Sequence, residues 1–406
     1  MKITGIIIFF SWMVISMSTP LYSEEGEIDI HGFLSQGYLK SDHNNLFAET
    51  EEGTFQFNEM GISFSTEVIE HLNIGMQFFA MDLGNFGNDR ITIDWAFGDY
   101  RWRDYLGIRV GKIKIPHGLY NEYRDVDSVT SLILYPVGAY NESWREVTSA
   151  AFGVGLYGSL MFNQIGKFKY NILAGTTNLT TDSSMMRVFK DTVSKSFGVA
   201  DAQIESVAVK TSYVYAFFLH NALSVDGLRF GISGWIVDFD TVITLPVLDY
   251  TFNTQFTNNK ITLSLEYLVG NFRFAYEYNM MDFEFEFTDA YDELDYYYLF
   301  SWQFTDWWET SFCYSEKYYN RDDRNGRYHE SLTGQAFTSW IKDTALSTRF
   351  DINANWSVKL EGHYFDGVAL LIGLDNGPAV EYINGVPKYP FKQYWYLFAA
   401  KISYNF

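Results

Sequence analysis

Apolar and polar residues alternate along most of the chain from residue 28 onward, in segments of about ten residues that end in turns. In one segment Ile261, Leu263 and Leu265 alternate with Thr262 and Ser264. Because successive side chains of a strand point to opposite faces, this pattern predicts strands with one apolar and one polar face. The sixteen predicted strands are 28–39, 54–67, 72–82, 91–102, 106–115, 150–162, 167–176, 205–220, 228–239, 260–269, 271–285, 296–306, 309–318, 337–352, 356–366 and 392–406.

The connections between these strands alternate in length. Short ones are expected near 68–71, 103–105, 163–166, 221–227, 270, 307–308 and 353–355, and long ones near 40–53, 83–90, 116–149, 177–204, 240–259, 286–295, 319–336 and 367–391. Short turns at one end and long loops at the other are typical of transmembrane barrels, whose strand number is even in bacterial single-chain examples. We therefore predict an all-β fold, a transmembrane antiparallel β-barrel of about 16 strands within a range of about 14–18. Both termini would then lie in the periplasm.

Two places interrupt the alternation. Along 271–287 the apolar residues move from even to odd positions after Met280, and a similar slip occurs near Glu59. A β-bulge near Met281 would exchange the two faces in this way. A strand that leaves the bilayer at this point would have the same effect, so the sequence leaves both explanations open.

The first 23 residues have the features of an export signal. Lys2 supplies a positive charge, residues 6–15 form a short apolar core, and residues 21–23 form a cleavage site before Glu24. The alternative is an uncleaved helical anchor, for which the apolar core is short. The predicted domains are a signal peptide, 1–23, and a single transmembrane β-barrel, 24–406.

Composition narrows the class of protein further. Aromatic residues make up 19% of the chain, and the mean hydropathy is only −0.12. A helical membrane protein needs runs of roughly 20 apolar residues for each span, whereas a membrane barrel needs aromatic girdles at both bilayer interfaces. The net charge of −21 argues against a nucleic-acid partner, because phosphates require a basic face.

Local motifs for catalysis or metal binding are missing from the sequence. Glycines 153, 155 and 158 match G-x-G-x-x-G, but they lie in an alternating segment with no predicted helix after it. The chain has no G-x-S-x-G elbow, and its single cysteine and seven scattered histidines give no metal-ligand spacing. We predict no catalytic residues, no cofactor and no metal. A hydrolase whose catalytic groups meet across strands stays open.

The chain ends on an aromatic residue within an alternating segment. Ile402, Tyr404 and Phe406 share one face. This segment looks like the terminal strand of outer-membrane barrels, whose last aromatic residue helps the barrel-assembly machinery to recognise the chain. The resemblance implies that these three residues are the assembly signal and that the protein lies in the outer membrane of a Gram-negative bacterium.

Two internal segments resemble a family of porins. Residues 109–125 are a strand of glycine and basic residues that ends in Pro116-His117-Gly118, and residues 348–361 are similar to a hairpin near the C-terminus of the same family. Both are similar to Gram-negative porins of the phosphate-selective O/P type. The phosphate-selective members have a lysine-rich lumen, whereas this chain has 29 basic against 50 acidic residues, so the sequence leaves phosphate selectivity open.

The longest predicted connection, 116–149, mixes charged residues with an apolar stretch near Val129 and Leu134. An exposed loop has little need of such a stretch, and porins constrict their lumen with an infolded third loop, so we expect this loop to fold inward. The predicted constriction residues are Glu122, Arg124, Asp125, Asp127, Glu142, Arg145 and Glu146, with the two arginines facing the acids across an opening. The predicted pore-lining residues are Arg109, Lys112, Lys114, Lys210, Arg273 and Arg349.

A barrel of this strand number is wide enough to leave an aqueous channel. The favoured function is a water-filled pore for passive or weakly selective diffusion of small hydrophilic solutes or ions. A barrel hydrolase, a transporter of hydrophobic compounds and an adhesin are the alternatives. Expected partners are outer-membrane lipids and lipopolysaccharide, the barrel-assembly machinery, the solutes, and two further copies in a homotrimer.

Overall fold

The strands follow one another in an antiparallel wall that closes on itself. The computed structural model describes residues 27–127, 129–181, 183–197, 203–222, 225–285, 291–377, 380–383 and 386–406. The predicted signal peptide, 1–23, lies outside the described residues.

Eighteen strands are present among the described residues, and sixteen of them form the barrel. The barrel strands are β1 Asp29–Ser41, β2 Phe57–Ile69, β3 Leu72–Leu83, β4 Thr92–Arg103, β5 Leu106–Lys114, β6 Ala150–Phe162, β7 Gly166–Thr176, β8 Gln203–His220, β9 Leu228–Leu245, β10 Tyr250–Val269, β11 Phe272–Phe285, β12 Tyr291–Thr305, β13 Trp308–Tyr318, β14 Trp340–Asp351, β15 Trp356–Gly367 and β18 Tyr394–Asn405. The other two, β16 Glu381–Ile383 and β17 Val386–Lys388, form a small hairpin in the last connection.

Each barrel strand pairs with its neighbour in sequence, and β18 closes the wall between β15 and β1. The predicted fold and strand number are therefore confirmed. We call the end that carries the connections after β1, β3 and β5 the long-loop end, and the end with the tight connections after β2 and β4 the short-turn end.

The predicted long connection 240–259 is wrong. β9 continues to Leu245 and β10 begins at Tyr250, so that only a short 3-10 turn, Pro246–Leu248, joins them. Ile243 and Phe256 do alternate with polar residues, a pattern compatible with strand that the prediction did not use. These long strands rise above the neighbouring part of the wall and form one side of the long-loop end.

The slip after Met280 is explained without a β-bulge. The pairing of β11 with β10 and β12 is regular over the described residues of these strands. Met281 and Phe283 face inward and are buried, whereas Phe274 faces outward and is exposed. The apolar residues therefore change from the outer to the inner face because the long-loop end of β11 covers an apolar interior.

The outer surface of the barrel is apolar in its middle and aromatic at both rims. Exposed Ile232, Leu263 and Leu346 lie on the middle band. Trp102 and Trp307 lie at the short-turn end, and tyrosines occupy the opposite rim. An apolar band between aromatic girdles is the surface expected of a barrel in lipid.

Within the described ranges, three short helices lie in the connections of the long-loop end. They are α1 Arg145–Thr148, α2 Ser184–Phe197 and α3 Arg327–Thr333, and further 3-10 turns span Asn121–Tyr123, Glu142–Trp144, Ala336–Thr338 and Gly373–Asn376. None of the helices among the described residues is long and apolar enough to cross a membrane.

Helix α2 lies inside the barrel and packs against the inner wall. Its buried residues Met185, Phe189 and Val193 are four positions apart and share one face. Phe189 stacks on Phe256 of β10 at 4.8 Å between ring centroids, and Phe239 of β9 stacks on the other side at 4.4 Å. We call the buried residues around this stack the apolar cluster; its members include Ile113, Met185, Met186, Phe189, Val193, Val237, Phe239, Phe256, Met281 and Phe283.

Candidate functional site

The connection between β5 and β6, residues 115–149, turns into the barrel and crosses it; we call it the crossing loop. Its inward turn is at Gly118, which has a positive φ of 59°. The backbone N–H of Gly118 donates to Ser233 at 2.9 Å, and that of Leu119 donates to Glu277 at 2.8 Å. A Cβ on Gly118 would lie 2.5 Å from the hydroxyl of Tyr140, so a larger residue does not fit this turn.

Glu277 of β11 holds the first half of the crossing loop. Besides the N–H of Leu119, its carboxylate accepts from Tyr140 at 2.5 Å, Tyr297 at 2.9 Å and Ser264 at 2.6 Å. A buried carboxylate with four donors has its hydrogen-bonding capacity filled. Glu277 is therefore a fixed attachment point of the loop.

The second half of the loop is attached to the opposite wall. The N–H groups of Ile133 and Leu134 donate to the two oxygens of Glu361 at 2.8 Å each. Lys359, on the same face of β15, donates to the carbonyl of Leu132 at 3.0 Å. We call this attachment, together with Asp127 and its lysines, the loop anchor.

Asp127 is the charged centre of the loop anchor. It accepts from Lys359 at 3.0 Å, Lys401 at 3.1 Å and Ser403 at 2.6 Å, and Lys401 also pairs with Glu59 at 2.5 Å. Burial by itself raises the pKa of Asp127, but the charges of Lys359 and Lys401 outweigh it and hold the pKa well below the usual range.

The arginines of the crossing loop bind acids of the same loop. Arg124 pairs with Glu142, and Arg145 pairs with Asp125 and lies 3.5 Å from Glu142. Lys114, at the end of β5, pairs with Asp125 at 2.6 Å. Burial raises the pKa of Asp125, but the charges of Arg145 and Lys114 lower it more. The charges are therefore in direct contact. The sequence predicted instead that they face one another across an opening.

The other two predicted acids have different surroundings. Glu146 accepts from the N–H of Ser184 at 3.0 Å, at the start of α2, where a negative charge stabilises the helix. Glu122 lies toward the short-turn end, where burial raises its pKa although the charges of Arg109 and Lys114 oppose this. Neither acid belongs to the arginine pairs of the loop.

Three of the predicted pore-lining residues face the lumen from strands. Arg109 pairs with Asp99 at 2.9 Å and lies over the ring of Tyr157 at 4.4 Å. Arg273 donates to the carbonyl of Val129 at 2.6 Å and so holds the crossing loop. Arg349 is nearly buried beside acids of the wall.

The remaining lysines lie elsewhere. Lys114 is buried in the ion pair with Asp125. Lys112 is opposite Phe152 in the register, lies over its exposed ring at 5.5 Å and has the same outward orientation. Lys112 therefore shares the outward orientation of Ile108 and Val110 on β5, and by strand alternation it does not point into the lumen as the sequence predicted. Lys210 is in β8, and its side chain lies outside the described part of the structure.

Sequence reasoning missed most of the wall residues that hold the loop. Lys359, Glu361 and His363 are the inward positions of β15, and the alternation could have identified them as a set. Both ring nitrogens of His363 contact carboxylates, Nδ1 with Asp343 at 3.0 Å and Nε2 with Glu361 at 2.9 Å. With both nitrogens occupied, this histidine orients Glu361 and has no free nitrogen to act as a base.

The wall below the crossing loop, from β4 to β11, is basic. Arg101, Arg109, Lys167, Lys169, Arg229 and Arg273 occupy its inward positions together with two acids, Asp99 and Glu266. Lys169 is exposed to the lumen, and Tyr123 and Val126 of the loop are exposed on the same side. We call this region the basic vestibule, because its local charge is opposite to the net charge of the chain.

Two small cavities adjoin the crossing loop. The first, of about 30 Å³, is lined by Glu59, Asp127, Lys359 and Lys401 of the loop anchor and by Arg124. The second, also of about 30 Å³, is lined by His117, Lys260 and Lys317 and again by Arg124. Each is large enough for water.

Among the described residues, no three or more His, Cys, Asp or Glu side chains are arranged to hold a metal ion. Cys313 is buried.

The C-terminal residues predicted as an assembly signal complete the wall. Ile402 and Phe406 are exposed on the outer face. Tyr404 packs on Trp356 with 4.8 Å between the ring centroids. Phe406 exchanges two backbone hydrogen bonds of 3.0 Å with Gly32, across the seam where the barrel closes. A Cβ on Gly32 would lie 2.4 Å from the Phe406 ring, which therefore packs across the glycine.

No family model matches the sequence, and no curated protein matches it significantly. Solved structures do match. OmpF of Salmonella typhi, in complex with daunomycin, is 13% identical with a TM-score of 0.57, covering 95% of this chain and 99% of that one. OmpT expressed in the outer membrane of Vibrio cholerae is 12% identical with a TM-score of 0.56, covering 95% and 99%. An anion-selective porin from Comamonas acidovorans is 10% identical with a TM-score of 0.55, covering 94% and 100%. At these identities the likeness shows that the chain shares their barrel fold.

Proposed function

We propose that the protein is an outer-membrane porin, a channel for passive or weakly selective diffusion of small hydrophilic solutes or ions. The observation that carries the proposal is a charged loop that crosses the lumen of a sixteen-stranded barrel and is fixed to both walls by polar contacts. An infolded loop narrows a wide lumen without closing it, and its charges provide polar contacts for solutes. Channels and porins occur among proteins of the same fold, including the anion-selective porin of Comamonas acidovorans.

The test is electrical recording from the purified full chain in a planar bilayer. We expect discrete current steps and a conductance that grows with salt concentration. A matched sample, unfolded by heat before addition, should give no steps. Folded protein that inserts into the bilayer without producing steps would contradict the channel function.

The finer likeness to phosphate-selective porins rests on residues 109–125 and 348–361. If it extends to function, millimolar inorganic phosphate should reduce the chloride current through the basic vestibule. An unchanged chloride current would favour a general channel.

We further propose that the barrel lies in the Gram-negative outer membrane with the long-loop end outside and both termini in the periplasm. Lipids would contact the apolar band and lipopolysaccharide the outer rim. A cysteine introduced at Asn325 should react with an impermeant label on intact cells, and one at Asn355 should not. Native Cys313 is buried and gives little background. The reverse labelling pattern would reverse the topology.

Recognition by the barrel-assembly machinery is proposed to use Ile402, Tyr404 and Phe406, after export directed by residues 1–23. Deletion of Phe406 should lower the amount in the outer membrane and lead to periplasmic degradation. Deletion has a second effect, because Phe406 also closes the seam with Gly32. Refolding of the truncated chain in vitro separates the two effects. The truncated chain should still refold, whereas its insertion into the outer membrane of cells should fail.

A homotrimer is the proposed assembly. One form of the Vibrio cholerae protein of the same fold is described as a trimer. Light scattering of the purified chain, corrected for detergent, should give three times the mass of one chain without residues 1–23. A mass equal to one chain would contradict it.

A further inference from the structure

The two cavities beside the crossing loop share part of their lining. Arg124 and Tyr140 line both cavities. The other residues of the first include Glu59, Lys359 and Lys401, from β2, β15 and β18. Those of the second include Trp235 and Lys260, from β9 and β10. The cavities therefore lie on opposite sides of Arg124 and Tyr140.

Packed apolar side chains fill the barrel beside the second cavity. The apolar cluster, with Phe189, Phe239 and Phe256, occupies the interior of the long-loop end there. Moving a charge through such packing is costly, because the protein interior cannot replace its hydration. Lys260 and Lys317 line the second cavity with polar atoms. These atoms can replace part of the hydration that a solute loses there.

Of the two shared side chains, Arg124 is the less firmly held, with a long hydrogen bond of 3.4 Å to Asn121 beside its ion pair with Glu142. The hydroxyl of Tyr140 donates to Glu277 at 2.5 Å and accepts from the N–H groups of Leu119 and Tyr120 at 3.0 and 3.1 Å. Arg124 is held mainly by Glu142, and its Nε has no hydrogen-bond partner among the described residues. If Arg124 turns away, Glu142 keeps Arg145 at 3.5 Å as a counter-charge.

We infer that ions and small polar solutes pass the crossing loop through these two cavities, and that the Arg124–Glu142 ion pair is the movable barrier between them. The inference rests on the proposed channel function. It identifies the route through the lumen and gives Arg124 the role of a gate. On the short-turn side the route leads past Val126, which borders the first cavity, into the basic vestibule.

The first test compares two arginine variants in single-channel recordings. Arg124→Ala should raise the unitary conductance at least twofold. Arg187→Ala is the matched control, because Arg187 is also ion-paired, with Asp375, and lines neither cavity. The control should conduct like the unmodified chain. Equal conductance of all three proteins would overturn the barrier role of Arg124, while the channel function itself would stand.

The second test locates the route with a cationic thiol reagent, in a background with Cys313→Ala. Modification of Lys260→Cys and of Lys359→Cys should each reduce the current by more than half. Phe239→Cys, in the apolar cluster, should be unaffected. Heat-dependent gel mobility checks that each variant is folded. Block at Phe239→Cys, with no effect at the other two positions, would place the route through the apolar cluster and overturn the inference.

Discussion

The interior of the barrel contains two buried regions that are held together by different forces. The apolar cluster joins helix α2 to β8–β11 through aromatic and aliphatic contacts. The loop anchor joins the crossing loop to β15 and β18 through Asp127, two lysines and Glu361. Burial is similar in both regions, so the degree of burial does not show which part of the lumen excludes ions. The polarity of the contacting groups shows this.

The inner face of strand β11 contacts both the crossing loop and the apolar cluster. Going from the short-turn end, its inward residues are Arg273, Ala275, Glu277, Asn279, Met281 and Phe283. Arg273 and Glu277 hold the crossing loop. Met281 and Phe283 belong to the apolar cluster. The inner face of one strand thus changes polarity along its length, because different segments of the chain cover it.

The largest effect should come from removing the loop anchor's backbone contacts. Replacing Val129–Val137 with a short Gly-Ser linker deletes the apolar stretch and shortens the loop, so that its backbone no longer reaches Glu361. The lumen should then widen and the conductance rise several-fold. Single-channel recording measures it. The same linker in place of α3, Arg327–Thr333, is the control and should change little. An unchanged conductance after the first replacement would show that the crossing loop is not the constriction.

A cavity in the apolar cluster should affect stability and leave conduction alone. Phe256 is 1% exposed and lies between two stacked rings, so Phe256→Ala should lower the free energy of unfolding by about 3–5 kcal/mol. Urea unfolding of the detergent-solubilised chain measures this. Phe398→Ala, on the exposed outer face, should cost clearly less. A large change in conductance with unchanged stability would reverse the roles of the two regions.

A charge change in the loop anchor should affect the mobility of the loop. Asp127→Asn leaves Lys359 and Lys401 without their shared carboxylate, and breaking a buried ion pair costs about 3–5 kcal/mol. Because the pKa of Asp127 is lowered, its contribution is complete above about pH 4 and is lost only as the pH falls through the lower folded value. Current noise should therefore increase in the variant at pH 7, and in the unmodified chain only in strong acid. Asp322→Asn, at an exposed position, is the control, and equal noise in both variants would contradict the prediction.

The smallest effect concerns ion preference. Lys169→Glu places a negative charge in the basic vestibule and should lower the chloride-to-potassium permeability ratio about twofold at low salt. Screening over about 10 Å at 0.1 M should weaken the change as salt rises. The reversal potential under a salt gradient measures it. Lys388→Glu, in the small hairpin of the last connection, should have no effect, and a shift of equal size there would mean that the vestibule does not set the preference.

The alternation of side chains determined the sixteen strands, because a strand between lipid and lumen must be apolar on one face and polar on the other. The same reasoning indicated the inward turn of residues 116–149 from an apolar stretch that an exposed loop does not need. It failed for 240–259, where strand pairing continued beyond the expected membrane boundary.

Only the tertiary structure decided which charges meet. Arg124 and Arg145 bind acids of their own loop, and Asp127 binds lysines that are more than two hundred residues away in the chain. The alternation of β15 could have placed Lys359 on the inner face, but it could not have identified its partner, because alternation acts between adjacent residues of one strand. Contacts across a closed barrel depend on how all sixteen strands and the crossing loop are arranged together, and no local pattern encodes that arrangement.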